Sequence, residues 1–311
     1  MSVYTVVSQA ELETFLTHYN LGTLVEFKGI SEGIENTNYF VTTTEGEFVL
    51  TLFEQHTANE LPFFLELMAY LAEHEIPSAH PLADKQQHYL RELNGKPAAL
   101  VRRLAGQSVT KPNVKQCCEI GCALGQLHAV SPDFTYFREN GRGLTWWQTT
   151  SQQVMPHLST EDAALLRNEL DFQQQHTTLD LPHGVTHADL FCDNALFKGD
   201  HLTGILDFYF ACNDSLLFDL AVTVNAWCTL DDSSLDAPRV ERLLSSYTKH
   251  RELTQAEREA WPVMLRAAAL RFWLSRLQDK LFPREGEMTQ VKNPDQYKHI
   301  LKNRLTVAAL A

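Results

Sequence analysis

The sequence predicts an α+β chain of two lobes, a small β-rich one followed by a larger, mostly helical one. Three observations carry that prediction. The first hundred residues hold two hairpin patterns around one amphipathic helix. After Arg103 the apolar period lengthens from two to between three and four, and the one later β segment is a lone hairpin set among helices. Strands that do not alternate with helices argue against a doubly wound sheet. At 311 residues the chain is long enough to give each lobe its own core.

In the N-lobe, residues 1–102, β-rich runs over 33–42 and 47–53 flank Thr43-Thr44-Glu45-Gly46. Runs over 88–93 and 97–102 flank Asn94-Gly95, the strongest short hairpin signal. Between them Leu61, Phe64, Leu65, Met68 and Leu71 fall on one helical face that ends before Pro77. In the C-lobe, residues 103–311, Val114, Cys117, Cys118, Gly121, Leu124, Gly125 and His128 predict a helix stopped by Ser131-Pro132. Further helical patterns over 161–175, 218–228 and 262–281 surround a β segment over 194–208 that turns at Lys198-Gly199-Asp200. Neither an internal repeat nor a low-complexity tract is present.

Hydrophobic residues make up 44% and charged residues 21%, the balance of a soluble globular chain, with no apolar run of bilayer-spanning length. The first ten residues lack the basic and apolar segments of a cleaved signal, so the expected location is the cytoplasm. A net charge of −13 disfavours nucleic acid and anionic membranes as partners and leaves a small molecule as the natural ligand. The six cysteines contain no C-x-x-C pair, sit mostly in apolar helical patterns, and are expected to be reduced core residues.

The chemistry is concentrated in His187-Ala188-Asp189-Leu190-Phe191-Cys192-Asp193-Asn194 and, after a hairpin, Ile205-Leu206-Asp207-Phe208. Phosphoryl transfer needs a carboxylate to accept a hydrogen bond from the attacking hydroxyl, and oxygen ligands to hold Mg²⁺ against the phosphates. Asp189 suits the first role; Asn194, five residues on, and Asp207, thirteen further, suit the second. That spacing predicts a kinase-type site using ATP. Taken singly, the two aspartates would be turn or cap residues and His187 a hydrogen-bonded core histidine. His183 and His187 are four apart, but Gly184 and Val185 argue for a strand or turn, which makes both histidines structural, as His128 is.

The catalytic stretch, with its small residue between His187 and Asp189, resembles the aminoglycoside phosphotransferase and choline kinase superfamily. More narrowly, the chain is similar to the bacterial homoserine kinases of that group, through Glu35-Asn36-Thr37-Asn38-Tyr39, Glu47-Phe48-Val49-Leu50-Thr51-Leu52, Asp219-Leu220-Ala221 and Leu270-Arg271-Phe272-Trp273-Leu274-Ser275-Arg276. The resemblance implies a bilobal protein kinase-like fold, ATP in the cleft, Asp189 as base, Asn194 and Asp207 as magnesium ligands, and L-homoserine as acceptor. Another small alcohol as acceptor, or a silent nucleotide-binding module, are the alternatives. The oligomeric state is left open.

Departures from the protein-kinase pattern are informative. Ala188 replaces the Arg that anchors a phosphorylated activation loop, and no A-P-E follows, which argues against a regulated protein kinase. Thr51 stands where a phosphate-binding Lys is expected and Phe64 where its Glu partner would be. Lys28 is either a substitute or a solvated surface residue. The stretch from Gly29 through Gly33 to Asn36 is a candidate phosphate-covering turn, or else an ordinary one. Adenine is expected against the backbone from Leu100 to Leu104, around Val101. Arg271 and Arg276 lie in an apolar helix where a guanidinium needs a partner. They fit either the acceptor carboxylate or structural bridges to Asp219 or Asp279. Asp219 is expected to fasten the catalytic loop. Trp146 and Trp147 fit either the core or a wall of the acceptor pocket.

Overall fold

The computed structural model describes residues 4–30, 36–177, 180–283 and 292–310. It divides into two compact units. The first comprises the described residues up to Gly106 together with Thr203–Leu206, and the second Gln107–Leu202 and the described residues from Asp207 onward.

In the first unit, Ser8 and Glu11 form a reciprocal capping box that starts helix α1 (Gln9–Leu16). Strands β1 (Leu24–Gly29), β2 (Thr37–Thr43) and β3 (Gly46–Leu52) precede helix α2 (Leu61–Glu73), and β4 (Arg91–Leu93) and β5 (Lys96–Arg102) follow it. The five strands form one antiparallel sheet in the order β1-β2-β3-β5-β4. Asn94 and Gly95, both at positive φ (52° and 73°), close the β4–β5 hairpin as their sequence requires. The run expected from residue 33 is described only from Asn36, so Gly33 lies outside the described residues. Leu12, Phe15 and Leu16 of α1 share a core with Tyr39, Val41, Phe48, Leu50 and Leu100, the inward positions that strand alternation selects.

The second unit holds α3 (Val114–Val130), α4 (Leu144–Val154), α5 (Thr160–Gln175), β6 (His183–Thr186), β7 (Ala195–Lys198), β9 (Cys212–Ser215), α6 (Leu216–Trp227), α7 (Ala237–Tyr247), α8 (Gln255–Leu281) and α9 (Pro294–Arg304), while β8 (His201–Ile205) begins in it and passes at Thr203 into the first. Strand β6 pairs antiparallel with β9, which puts His183 on a strand as its neighbours Gly184 and Val185 imply. Helix α6 is the centre of the unit, with every residue from Leu216 to Asn225 buried.

Two features were not visible in the pattern. Helix α8 begins seven residues before Pro262, where a helix start was expected. The proline cannot donate to the Arg258 carbonyl, and that carbonyl accepts the Leu310 amide instead (3.1 Å), so the helix continues through it. Gly121 and Gly125 let α3 lie directly on α7: a Cβ at Gly121 would stand 2.2 Å from the Leu243 carbonyl oxygen, and one at Gly125 2.6 Å from that of Tyr247. Because the obstacle is backbone, Gly121→Ala should destabilise the protein by about 1–3 kcal/mol. An unchanged urea midpoint would show that the helices can separate at no cost.

Candidate active site

The loop 187–194 leaves β6 with Ala188 in the left-handed region (φ 61°), a sparsely populated conformation for a residue with a Cβ. Asp219, fully buried on α6, holds it there. Its carboxylate accepts the backbone N–H of His187 (2.7 Å) and of Ala188 (2.8 Å), as well as His128 Nε2 (3.1 Å). Burial pushes the Asp219 proton affinity up, but the His128 hydrogen bond and charge, with His187 and its amide, outweigh it and hold the pKa below the ordinary carboxylate value. This is the fastening role expected of Asp219.

The support continues outward. His128 Nδ1 meets the Tyr247 hydroxyl at 2.8 Å, Arg251 Nη1 donates to that hydroxyl at 2.9 Å, and Arg251 Nη2 is bound to the Glu257 carboxylate at 2.7 Å. Arginine can only donate, so the tyrosine O–H is left to donate to Nδ1, which puts the histidine proton on Nε2, facing Asp219. From Arg251 Nη1 through the Tyr247 hydroxyl to His128 Nε2, each donor therefore points toward Asp219.

Asp189 follows, its N–H donating to His187 Nδ1 (3.2 Å). The Asn194 amide nitrogen donates to the Asp189 carbonyl (2.8 Å) and to its carboxylate Oδ2 (3.1 Å), closing the turn five residues on. That geometry leaves Asn194 Oδ1, an uncharged oxygen, as the face turned from Asp189. Asp207 is likewise left-handed (φ 60°, ψ 61°), and the Phe208 ring beside it packs on His187 at 4.7 Å. Among the described residues no three His, Cys, Asp or Glu side chains gather as a metal set. One carboxylate and one amide oxygen are nevertheless what Mg²⁺ requires when phosphates and water supply its other ligands. Cys192, in the same loop, has its thiol pushed up to about 12 by burial, so it is no nucleophile at neutral pH.

Of the two arginines, Arg271 is 5% exposed, stacks on Phe272 at 3.8 Å, and reaches Asp189 with its Nη1 at 3.7 Å. Arg276 donates to Gln296 Oε1 (2.7 Å) and the Asn293 carbonyl (3.2 Å) and lies over Tyr297, contacts that tie α8 to the α9 region. Neither depends on Asp219. Trp147 is buried core, whereas Trp146 carries the guanidinium of Arg142 at 4.6 Å.

In the first unit Gly29 ends β1, paired with Tyr39. Asn36 is buried and accepts the Glu54 N–H on Oδ1, and Val101 pairs with Val49. The Leu100 carbonyl accepts Leu82 N–H, and the amides of Arg102 and Arg103 donate to His80 and Glu47, which commits much of the stretch expected to meet adenine. Lys28 is exposed. Thr51 is buried and donates to Asn38 Oδ1 across the β2–β3 pair (2.7 Å), and Phe64 is buried too, so a neutral hydrogen bond and an apolar ring occupy the positions of the missing charges. Tyr247, Arg251 and Arg142 were missed by sequence reasoning, since their partners are distant in the chain and no local pattern marks them.

Residues 26–253 match the model of the phosphotransferase enzyme family. The chain is 48% identical to a homoserine kinase of Methylobacillus flagellatus over 98% of its length and 96% of that protein's. It is 45% identical to a homoserine kinase of Paraburkholderia phymatum, with full coverage of both chains. Among solved structures it superposes on amicoumacin kinase hAmiN with a TM-score of 0.72 at 15% identity, covering 96% of this chain and 92% of that one. Spectinomycin phosphotransferase APH(9)-Ia gives 0.70 at 10% identity, covering 97% and 99%. The kinase-like fold is thus shared well beyond recognisable sequence similarity, and with a family match over most of its length this chain belongs to the phosphotransferase enzyme family.

Proposed function

We propose that the protein phosphorylates the side-chain hydroxyl of L-homoserine, transferring the γ-phosphoryl group of ATP directly to give O-phosphohomoserine, a step toward threonine. The observation that carries this reading is the constrained presentation of Asp189, with its loop pinned by Asp219 and its carboxylate touched by Asn194 and Arg271, in a chain 48% identical to a homoserine kinase over nearly all its length. Asp189 accepts the acceptor hydroxyl's hydrogen bond, aims it in line and takes its proton as the new O–P bond forms. Asn194 Oδ1 and Asp207 would hold Mg²⁺, which supplies charge neutralisation on the phosphates when bound. Gly29, Gly33, Asn36 and Val101 are the proposed nucleotide contacts of the N-lobe, and Arg271 and Arg276 the proposed cations of the acceptor side.

The test is ADP release from Mg-ATP with L-homoserine, L-serine, choline, kanamycin or methylthioribose, with Asp189→Ala as control. Homoserine-dependent release that vanishes in the control is the expected result. Turnover with a different acceptor would keep the chemistry and discard the substrate. Silence across the panel with ATP still bound would make the neutral Thr51–Asn38 pair the mark of a non-catalytic protein.

A further inference from the structure

Two guanidinium groups from different elements face the ring of Phe210, and one of them, Arg271, also stands beside Asp189. Arg271, on α8, stands 5.1 Å from the centre of the Phe210 ring and 3.8 Å from that of Phe272. Arg142, in the turn before α4, stands 6.0 Å from the same Phe210 ring and 4.6 Å from Trp146. The turn is built to hold it. The Arg142 N–H donates to Asn140 Oδ1 (2.7 Å), the Asn140 amide is bound in turn to Asp214, and Arg142 Nη1 donates to the neutral Gln278 amide oxygen (3.4 Å).

Like charges brought together among aromatic rings repel, and the effect is felt at Arg271. Burial first, and the Arg142 charge after it, push its pKa down to about 10 against the upward pull of Asp189.

We propose that Arg142 and Arg271 form a two-guanidinium seat for the α-carboxylate of an amino-acid acceptor, with Arg142 the residue that sets specificity for it. The proposal rests on the homoserine reading above. In homoserine the carboxylate carbon lies four bonds from the reacting hydroxyl oxygen, about 5 Å when extended at ordinary bond lengths. A hydroxyl on Asp189 therefore leaves the carboxylate within reach of Arg271, whose Nη1 stands 3.7 Å from that aspartate, and on the side where Arg142 shares the Phe210 ring. Planar guanidinium groups stacked on rings have few orientations left, and their forks match a carboxylate bidentately. The same seat could instead face another anion, the phosphoryl group in transfer, and only an acceptor without a carboxylate separates the two.

The experiment compares L-homoserine with 3-aminopropan-1-ol, the same molecule without its carboxylate, in wild type, Arg142→Gln and Arg142→Lys. The ratio of kcat/KM for homoserine to that for aminopropanol should fall about 10- to 100-fold in Arg142→Gln, mainly through KM for homoserine, as expected for a lost charged hydrogen bond. Arg142→Lys should fall between, keeping charge without the fork. Equal losses with both acceptors would assign Arg142 to the phosphoryl group, and a kcat/KM unaltered for both would remove it from the site; either overturns the proposal while homoserine phosphorylation stands. A wild-type enzyme that accepts only alcohols without a carboxylate would overturn both readings together. Thermal unfolding of each variant separates a folding defect from a binding one, and Arg142→Lys keeps the test open should the glutamine variant fold poorly.

Discussion

Asp189→Ala should lower kcat by about 10²- to 10⁴-fold, the range for loss of a positioned general base. Two consequences of the substitution are distinct. The acceptor hydroxyl loses the group proposed to aim and deprotonate it, and the buried Arg271 guanidinium loses the carboxylate 3.7 Å away. Asp189→Asn separates them in part, because the amide keeps the volume and an oxygen acceptor but lacks both charge and basicity. It should be nearly as inactive as the alanine variant. Binding of ATP to either, followed by titration calorimetry, should persist, because the substitution leaves Asn194 and Asp207 in place. A kcat within threefold of wild type in both would remove Asp189 from the chemistry.

The second large effect is on stability. Asp219→Ala orphans the His187 and Ala188 amides and the His128 Nε2–H, all buried, and should cost about 3–5 kcal/mol. Asp219→Asn keeps the shape but presents an N–H₂ group to a set of donors, and should also be destabilised. The pH dependence has a definite sign. The folded-state pKa of Asp219 is lowered, so its contribution is complete above the ordinary carboxylate pKa near ~4 and is lost as pH falls through the folded value. The difference in melting temperature between wild type and Asp219→Asn should accordingly be constant from neutral pH to about 5 and narrow below ~4. A gap that widens on acidification would contradict the assignment of an ionised Asp219.

How much of this was legible in the sequence follows from how local each signal is. The Asn94-Gly95 hairpin, the α2 face and the Asp189–Asn194 spacing are written within a few residues and reappear in the structure as turn, helix and closed loop. Asp219 was expected to fasten the loop, and its carboxylate accepts the His187 and Ala188 amides. Helices α1, α4, α7 and α9 were not anticipated, although α7 carries Asp236 as its cap, Pro238 in its first turn and Val240, Leu243, Leu244 and Tyr247 at helical spacing. The run through Pro262 was illegible because the carbonyl it strands is satisfied by Leu310, fifty-two residues beyond Arg258 in the chain. Arg142 sits in an Asn-Gly-Arg-Gly turn whose composition says only that the chain bends there.

The hydrogen-bond chain from Glu257 to the catalytic loop has a bearing on how the enzyme comes into being. Its links join residues far apart along the polypeptide: His128 to Asp219 over 91 positions, and His128 to Tyr247 over 119. Contacts of that separation close late, since long loops must be paid out before they are rewarded. A nascent or partly refolded chain can have its helices and hairpins in place and still lack a fixed Asp189. Competence to transfer phosphate should therefore return in step with the last tertiary phase of refolding and behind the recovery of helical signal.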